Sequence, residues 1–378
     1  MPKHEEVQIP KIILSGGGTG GHIYPALAIA QAIKKKWPRA DILYVGTAKG
    51  MESLIVPQSG LEFAAFDIEG IPRKISFKAI AAIYKMILAT IKARSLILNF
   101  KPNLAIGTGG YASLPILLNA IWGKIPSVIH EQNAFPGMAN RFLAKKASKV
   151  MLSFQEALEH LPEKSRKRAI VTGLPVREDI LKTTRNEGLT HYGFQDDLRV
   201  VLSLGGSRGA RNLNKAMIRV MMSMKNEVQF IHATGQHEYS SFLNELEESG
   251  IDIKNQNNMI ILPYIQDIGY ALACADICVS RAGAAFISEM TAKGVPGILV
   301  PYPYATDDHQ RYNAAMLAEK GAAYMINDQE LTGDLLLERI EALIYNDEIR
   351  NTMSAESAKA GSIDAIKNIV ELLRQYID

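Results

Sequence analysis

Short runs of hydrophobic residues alternate with longer amphipathic segments along most of this chain. The runs are rich in Ile, Leu and Val, which is typical of parallel strands buried on both faces of a sheet. The segments between them carry apolar residues at helical spacing. Repeated strand–helix units predict an α/β fold with a doubly wound parallel sheet. In the first half, the predicted strands are 11–15, 41–45, 63–68, 104–106, 126–130, 149–153 and 169–172.

The same alternation starts again near residue 198, which predicts a second domain of the same class. A chain of 378 residues is also too long for one ordinary core. We expect an N-terminal domain over 1–182, a polar linker over 183–197, a C-terminal domain over 198–347, and a final helix, 348–378, that packs back toward the N-terminal domain. The second set of predicted strands is 198–204, 228–233, 259–262, 276–279, 297–300 and 323–326.

A glycine-rich loop, Gly16-Gly17-Gly18-Thr19-Gly20-Gly21-His22, lies between the first strand and the first helix. Backbone N–H groups of such a loop, with the positive end of a helix behind them, form an anion site. His22 is the one titratable side chain in it. A tight turn needs only one or two glycines, so the segment indicates the edge of an active site.

A dinucleotide-binding fold is the competing interpretation, because Gly16, Gly18 and Gly21 satisfy G-x-G-x-x-G. That motif requires an acidic residue at the end of the second strand, about 20 residues further on. The second strand carries its one acid, Asp41, at the beginning and ends in Gly46-Thr47. No Walker motif is present either. The sequence therefore disfavours a nicotinamide cofactor.

Charge is distributed unevenly along the chain. Residues 1–150 contain 19 Lys and Arg against 8 Asp and Glu, whereas the remainder contains 23 against 31. From Gly70 to His130 there is no carboxylate, and basic residues alternate with bulky apolar ones. Such a segment suits an anionic membrane surface. The alternative is an ordinary amphipathic helix packed on a sheet. That alternative explains the spacing of the apolar residues but not the absence of Asp and Glu over the whole segment. The expected membrane-facing residues are Lys74, Ile75, Phe77, Lys78, Lys85 and Lys92.

The sequence also bears on whether the protein spans a membrane, binds nucleic acid or contains disulfides. The segment 79–91 is too short to span a bilayer and is interrupted by Lys85. No recognised nucleic-acid-binding module accompanies the basic residues. Cys274 and Cys278 lie in an apolar run and are expected to be core thiols. The absence of a signal peptide favours a reducing cytoplasm.

Polar or glycine-rich loops follow several other predicted strands. Ligands in doubly wound sheets bind beyond the carboxyl ends of the strands, so these loops are candidate binding elements. They are Gly107-Thr108-Gly109-Gly110-Tyr111, His130-Glu131-Gln132-Asn133, 172–177, 205–211, Tyr264-Ile265, 280–289 and 307–313.

Together these motifs resemble the GT-B glycosyltransferases, and the resemblance covers essentially the whole chain. Within that family the match is to the inverting enzymes that build the lipid-linked precursor of peptidoglycan. Leu174 departs from the Asn that is common there, and Arg208 occupies a variable position. The most specific elements are GGGTGGHIYPALAIA, HEQNAFPGMANR, GGSRGAR and SRAGAAFISEMTAKGVP.

The resemblance implies two Rossmann-like domains facing an inter-domain cleft. It also implies transfer of GlcNAc from UDP-GlcNAc to the C4 hydroxyl of the muramoyl sugar in lipid I, giving lipid II and UDP. Such an enzyme would lie at the cytoplasmic face of the bacterial cell membrane as a peripheral protein. It would serve peptidoglycan synthesis, and with it cell shape and division, beside other wall-synthesis proteins. No Asp-x-Asp motif occurs, so neither a metal nor another cofactor is expected.

Residue roles follow from the matched motifs. His22 is the expected general base, since imidazole titrates near neutral pH, and Asp307 and Asp308 are its competitors. Glu289 suits the two ribose hydroxyls, because a carboxylate can accept from both. Residues assigned to the donor are Thr19, Gly20, Gly21, Asn133, Arg177, Ser207, Ile265, Arg281, Glu289 and Gln310. Residues assigned to the acceptor diphosphate are Gly16, Gly17, Gly18, Gly107, Gly109, Gly110 and Tyr111.

Two other functions fit parts of the pattern. A UDP-GlcNAc 2-epimerase shares the architecture and the nucleotide sugar but has no lipid acceptor. The basic, acid-free segment and the first glycine loop disfavour it. A non-catalytic nucleotide-sugar binder is the other alternative, and the presence together of His22, Arg281 and Glu289 disfavours a degenerate site.

Overall fold

A computed structural model describes residues 9–70, 72, 76–206 and 209–378. The chain divides into two compact units. The first comprises the residues up to Pro175 together with Asp364–Asp378, and the second comprises Val176–Ile363. Among the described residues, each unit contains one sheet, and every strand pair in both sheets is parallel. The predicted pair of α/β domains with doubly wound parallel sheets is confirmed.

Within the described residues, the sheet of the first unit has seven strands in the order β3-β2-β1-β4-β5-β6-β7. From β1 the chain adds β2 and β3 toward one edge of the sheet, and from β4 it adds β5, β6 and β7 toward the other edge. Loops that leave β1 and β4 therefore start side by side. The strands are β1 Lys11–Gly16, β2 Asp41–Thr47, β3 Glu62–Phe66, β4 Leu104–Gly109, β5 Ser127–Glu131, β6 Lys149–Leu152 and β7 Ala169–Val171.

Both faces of this sheet are covered, as the continuous apolar runs predicted. Ile12 and Leu14 of β1 pack in one core, whereas Ile13 packs in the core on the opposite face. The alternation follows from the period of two in a strand. The helices of the N-terminal part are α1 Gly20–Lys36, α2 Glu52–Gln58, α3 Phe77–Phe100, α4 Ser113–Trp122, α5 Met138–Ala144 and α6 Glu163–Arg166, with a 3-10 helix at Gln155–Leu158.

The second unit repeats this plan with a described sheet of six strands, in the order β10-β9-β8-β11-β12-β13. The direction in which successive strands are added to this sheet reverses between β8 and β11. The strands are β8 Arg199–Leu204, β9 Val228–Ala233, β10 Met259–Leu262, β11 Ile277–Ser280, β12 Gly297–Leu299 and β13 Ala323–Met325. Cys274 and Cys278 are buried and free, as predicted for core thiols.

The helices of the second unit cover its sheet, and two of them precede β8. They are α7 Glu178–Lys182, α8 Arg185–Tyr192, α9 Arg211–Met224, α10 Tyr239–Glu248, α11 Ile268–Cys274, α12 Ala284–Ala292, α13 His309–Glu319, α14 Gly333–Ile344 and α15 Asp347–Ala360, with 3-10 helices at Ile253–Asn255 and Thr306–Asp308.

The predicted linker at 183–197 is wrong. This segment contains α8 and belongs to the second unit, whose boundary lies between Pro175 and Val176 rather than after residue 182. A Cβ on Gly188 would lie 2.5 Å from the carbonyl oxygen of Tyr270, so α8 packs with direct backbone contact on its neighbour. The polar composition concealed this helix. Its signal was the capping box of Thr184 and Glu187, which begins the helix.

The predicted single C-terminal helix is two helices. The first, α15, lies in the second unit, where Met353 packs in the core. The second, α16 (Ala365–Ile377), belongs to the first unit. Its Ile369 and Leu373 share a core with Ile23 of α1. A break at Gly361 separates the two helices.

Candidate active site

Two glycine-rich loops meet where the strand order of the first sheet reverses. Gly16 at the end of β1 pairs with Gly109 at the end of β4. A Cβ on Gly16 would lie 1.9 Å from Thr108 Oγ1, and one on Gly110 would lie 2.3 Å from the carbonyl oxygen of Gly17. Side chains at these positions would separate the loops. The structure thus brings together the two segments that were predicted to bind the acceptor diphosphate.

His22 lies in the first turn of α1, beside the second loop. A Cβ on Gly109 would be 3.1 Å from its Cδ2. Its Nδ1 is 3.1 Å from the carbonyl oxygen of Gly17 and 3.3 Å from Thr19 Oγ1. Because a carbonyl oxygen can only accept, this bond places the hydrogen of the neutral ring on Nδ1. The lone pair is then on Nε2, which is the nitrogen able to accept a proton.

A carboxylate that the sequence analysis did not identify forms a hydrogen bond with the loop of Gly16–Gly21. Glu52, at the start of α2, is completely buried. Its Oε2 accepts from the backbone N–H of Gly18 at 3.2 Å. Gly18 was predicted to donate to the acceptor diphosphate, but its N–H already has an anionic partner. Gly20 and Gly21 lie instead in the first turn of α1, where helix N–H groups lack intrahelical partners.

Tyr111 closes the same region from the second loop. A Cβ on Gly18 would lie 3.2 Å from its ring, so the ring packs directly on the first loop. Burial raises the pKa of the Tyr111 phenol, and the negative charges of Glu52 and Glu69 raise it further. The phenol therefore stays protonated and can donate a hydrogen bond to an anion.

Glu131 organises the loop that carries Asn133. This carboxylate is buried at the end of β5. It accepts from the backbone and side-chain amides of Asn133 at 2.9 and 3.1 Å, from the N–H of Gly137 at 3.0 Å, and from Asn140 Nδ2 at 2.8 Å. Asn133 was predicted to bind the donor sugar. The contacts described for it fix the shape of its own loop.

The second unit has a corresponding glycine loop after β8. Gly206 and Gly209 adopt φ of +82° and +79°, and a Cβ on Gly209 would lie 2.4 Å from the carbonyl oxygen of Thr234. Ser207, predicted to bind the donor diphosphate, and Arg208 lie outside the described residues.

Arg281, at the end of β11, was assigned to the donor diphosphate. In the structure its guanidinium lies 2.6 Å from Asp328 and donates to the carbonyl oxygens of Val300 and Pro301 at 3.2 and 3.1 Å. Asp328 also accepts from Asn212 of α9 at 2.8 Å. The described contacts of Arg281 thus join β11, β12 and α9 beside the glycine loop.

Gln310, in the first turn of α13, lies beside the same loops. Its Oε1 accepts from the N–H of Ala282 at 3.1 Å and from the N–H of Tyr302 at 2.9 Å. The side-chain carbonyl therefore holds the loops after β11 and β12 together. The amide NH₂ remains suited to donate to a sugar hydroxyl, which is the role predicted for this residue.

Arg177 and Glu289 both lie in the second unit, 112 positions apart in the sequence, and the charge of Arg177 acts on Glu289. Burial raises the pKa of Glu289 on α12 to about 7, and Asp179 adds to the rise, whereas the Arg177 cation opposes it. Such a pKa shift is typical of functional sites. The structure thus links two of the predicted donor residues.

Other predicted residues of this unit have distinct surroundings. Ile265 is buried just after β10, while the neighbouring Tyr264 is exposed. Asp307 and Asp308, the competing bases, both have left-handed backbone conformations with φ of +53° and +54°. Positive φ at two successive residues other than glycine stores strain, and strain of this kind concentrates at functional sites.

The long helix α3 exposes its bulky side chains. Its buried positions are Ala79, Ala82, Ala89, Ala93 and Ile97, whereas Phe77 is 92% exposed. Further exposed apolar residues on it are Ile80, Ile83, Tyr84, Ile87, Leu88 and Ile91. Lys74 and Ile75, also predicted for this surface, lie outside the described residues. Across the described helices, none has the length and hydropathy needed to cross a bilayer.

Lys85 differs from the other predicted surface lysines. Its ammonium lies 2.6 Å from Glu69 and 3.3 Å from Asp67, and these contacts raise its pKa. Lys78 and Lys92 are exposed. In the part of the chain that the structure describes, no group of three or more His, Cys, Asp or Glu could hold a metal ion.

The two parallel-sheet domains, each with a glycine loop at the reversal of its strand order, have the GT-B architecture. Residues 12–152 match the glycosyltransferase family 28 N-terminal domain, and residues 200–369 match the glycosyltransferase family 28 C-terminal domain. The chain belongs to glycosyltransferase family 28.

Full-length relatives refine this assignment. The chain is 45% identical over 369 residues to the UDP-N-acetylglucosamine–N-acetylmuramyl-(pentapeptide) pyrophosphoryl-undecaprenol N-acetylglucosamine transferase of Desulforudis audaxviator, with 96% of this chain and 98% of the relative covered. It is 43% identical over 365 residues to the protein of the same name from Halothermothrix orenii, with the same coverage.

Solved structures agree with this. MurG of Acinetobacter baumannii matches with a TM-score of 0.78 and 28% identity over 97% of this chain and 99% of that one. The UDP-GlcNAc 2-epimerase of Neisseria meningitidis matches with a TM-score of 0.69 and 15% identity over 97% and 100%. The second likeness shows a shared fold alone.

The raised pKa of Glu289 generates a prediction about stability. Between pH 4.5, its ordinary pKa, and about 7, the folded protein holds a proton that the unfolded chain releases. Stability therefore falls as pH rises through this window, by about 3 kcal/mol for this group. Glu289→Gln should prevent this fall in stability, because a glutamine side chain does not titrate. Thermal unfolding should show the variant gaining stability over the parent between pH 5 and pH 8.

The matched control is Glu319→Gln, which neutralises an exposed carboxylate of the same unit. Its difference from the parent should stay constant over that pH range. An equal difference between Glu289→Gln and the parent at pH 5 and pH 8 would contradict the assigned pKa.

Proposed function

We propose that this protein transfers GlcNAc from UDP-GlcNAc to the C4 hydroxyl of the N-acetylmuramyl-pentapeptide pyrophosphoryl-undecaprenol acceptor, with inversion at the anomeric carbon. The acceptor oxygen attacks C1, the bond from C1 to the diphosphate oxygen breaks, and UDP leaves with the electron pair. The hydroxyl proton passes to a base. The observation that carries the proposal is 45% identity over nearly the whole chain to an enzyme with this name.

The second unit is the proposed donor site. A ribose needs an acceptor for two adjacent hydroxyls, and the Glu289 carboxylate can supply it. Arg177 favours the ionised form of Glu289, which is the form that accepts from both hydroxyls. Ser207 and the glycine amides around it are assigned to the diphosphate, and Ile265 to the uracil. Arg281 acts beside them as a cation held in place by Asp328.

The first unit is the proposed acceptor site. The Glu52 carboxylate already accepts from the Gly18 N–H, so the acceptor diphosphate is assigned to the second loop, with Gly109, Gly110 and the Tyr111 phenol. Thr19, Gly20 and Gly21 lie at the positive end of α1. This helix end favours negative charge, which supports their assigned contact with the donor.

His22 is the proposed general base. The bond between Nδ1 and the Gly17 carbonyl places the hydrogen of the neutral ring on Nδ1, and Nε2 is the proposed acceptor of the C4 hydroxyl proton. Asp307 and Asp308 remain the competing bases from the second unit. A 2-epimerase is the competing activity, because it shares the fold, but the likeness to that enzyme is limited to 15% identity.

We also infer a peripheral site of action at the cytoplasmic face of the bacterial cell membrane. The undecaprenyl chain of the acceptor requires access to lipid. The exposed face of α3 combines bulky apolar side chains with the exposed Lys78 and Lys92, a combination that suits an anionic leaflet. In this location the enzyme would act in peptidoglycan synthesis, and through it in cell shape and division, beside other wall-synthesis proteins.

The proposed function is tested by following UDP release from UDP-GlcNAc. Release should occur only when lipid I or a short-chain analogue is present, and the product should contain a new GlcNAc–MurNAc bond. In the same assay Glu289→Ala should raise the donor KM, since losing two charge-assisted hydrogen bonds costs about 3 kcal/mol. Formation of UDP-ManNAc without an acceptor would instead identify an epimerase. Binding of UDP-GlcNAc with no turnover in either assay would indicate a non-catalytic binder.

His22→Ala should lower kcat by about 10²–10⁴-fold with little change in the donor KM, because it removes the proton acceptor. Steady-state kinetics at saturating acceptor would measure this. A rise in the acceptor KM with kcat unchanged would assign His22 to substrate binding alone. A fully active His22→Ala enzyme would leave Asp307 and Asp308 as the candidate bases.

Charge reversal at Lys78 and Lys92 should release the protein from anionic vesicles, because each lysine near such a surface contributes about 1 kcal/mol. Co-sedimentation with vesicles that contain phosphatidylglycerol would measure it, and activity on a soluble acceptor analogue should persist. Lys85 is left intact because it is ion-paired.

The control reverses the charge of two exposed lysines elsewhere, Lys215 and Lys367, with the same change in net charge. It should bind vesicles like the parent. Equal loss of binding in both double variants would show that net charge, and not the α3 face, determines attachment.

A further inference from the structure

Glu52 is a buried carboxylate whose hydrogen bonds come from neutral groups. Its Oε1 accepts from the N–H of Thr47 at 3.0 Å and from Thr47 Oγ1 at 2.7 Å, and its Oε2 accepts from the N–H of Gly18 at 3.2 Å. Removing an ionised carboxylate from water is costly, even when such bonds replace hydration. A purely structural position beside these loops could be filled by an apolar side chain at lower cost.

Three glycines leave the space that this side chain fills. A Cβ on Gly17 would lie 2.3 Å from Glu52 Oε1, one on Gly46 would lie 2.6 Å from its Cγ, and one on Gly50 would lie 2.3 Å from its Oε2. Gly17 belongs to the first glycine loop, Gly46 lies near the end of β2, and Gly50 lies in the β2–α2 connection. The backbone around Glu52 is therefore shaped to bring a carboxylate against the glycine loop.

The bond to Gly18 reaches His22 through one peptide group. The Gly18 N–H, which donates to Glu52, and the Gly17 carbonyl, which lies 3.1 Å from His22 Nδ1, belong to the same planar unit. Negative charge on the N–H side polarises this peptide and makes its oxygen a stronger acceptor. Gly18 has a φ of +87°, and glycine on both sides of the peptide permits other orientations, so a fixed partner is needed.

We propose that Glu52 is a positioning residue that acts on His22 through the Gly17–Gly18 peptide. It holds the Gly17 carbonyl toward Nδ1, which keeps the hydrogen of the neutral ring on Nδ1 and the lone pair on Nε2. It also stabilises the positive ring after Nε2 has taken a proton. This inference rests on the proposed role of His22 as the general base, but its structural part is measurable without catalysis.

The test uses nitrogen-15 NMR of histidine-labelled protein at a pH where the His22 ring is neutral, with His22→Gln to assign the signal. The parent should show the Nδ1–H form. Glu52→Gln places an NH₂ group where the carboxylate accepts, so a donor would oppose the Gly18 or the Thr47 N–H. The variant should move the population toward the Nε2–H form. A parent protein already in the Nε2–H form would overturn the proposal without any Glu52 variant.

Kinetics give the second measurement. Glu52→Gln should lower kcat by about 10- to 100-fold, the size of effect known for groups that orient metal-binding histidines, with the donor KM unchanged. In the background of His22→Gln it should lower kcat by less than about twofold, since its effect acts through His22. Losses that multiply in the double variant would show an independent structural role and overturn the proposal.

The matched control is Glu62→Gln, the same change at an exposed carboxylate on β3. It should leave both the ring form and kcat unchanged. If His22→Gln itself retains full kcat, the proposed base is wrong, and the NMR result still decides whether Glu52 orients the ring. A Glu52→Gln protein that fails to fold leaves the parent spectrum as the deciding measurement.

Discussion

Close approach of backbone to backbone, at the point where each sheet reverses its strand order, is the constraint on which the candidate sites depend. In the first unit the ends of β1 and β4 are adjacent, and the loops that follow touch through Gly16 and Gly110. In the second unit Gly209 makes the same kind of contact with Thr234. Any larger residue would separate these segments. Glycine is required there for space, and loops without side chains expose backbone N–H groups, which are donors suited to anions.

Carboxylates organise the loops in both units. Glu52 and Glu131 are buried in the first unit and accept hydrogen bonds from glycine and asparagine amides. Asp328 pairs with Arg281 in the second. Glu52 and Asp328 place negative charge close to groups expected to bind diphosphates, and Glu131 places it beside Asn133, which is expected to bind the donor sugar. The charge fixes the geometry of those groups, at the cost of weakening their attraction for an anion, so precise placement is favoured over maximal affinity.

The helix α3 illustrates how close packing in one region leaves an unusual surface in another. Ala89 and Ala93 of α3 belong to the core of the first unit, and Asn119 of α4 donates to the carbonyl oxygen of Thr90 on α3 at 2.8 Å. Phe77, Ile80, Ile83 and Ile87 remain exposed, whereas Ile97 near the end of the helix is buried in the core. An ordinary amphipathic helix has the opposite arrangement. An exposed apolar face that also carries lysines is suited to a lipid bilayer, which has an anionic surface and an apolar interior.

Sequence alone determined the strand–helix order, the parallel sheets and the glycine loops, because hydrophobic periodicity and glycine clusters are local properties. It also indicated His22 and Glu289 as candidate site residues, because both lie in motifs that can be recognised in the sequence. Helix α8 had a local signal as well, in its capping box. Only tertiary structure decided which face of α3 is buried and that Arg281 pairs with Asp328. The same holds for the contact of Glu52 with the Gly18 N–H, which joins positions 34 residues apart. Periodicity identifies apolar faces but not their partners, and hydrogen bonds between distant segments depend on how the strands are ordered in the sheet.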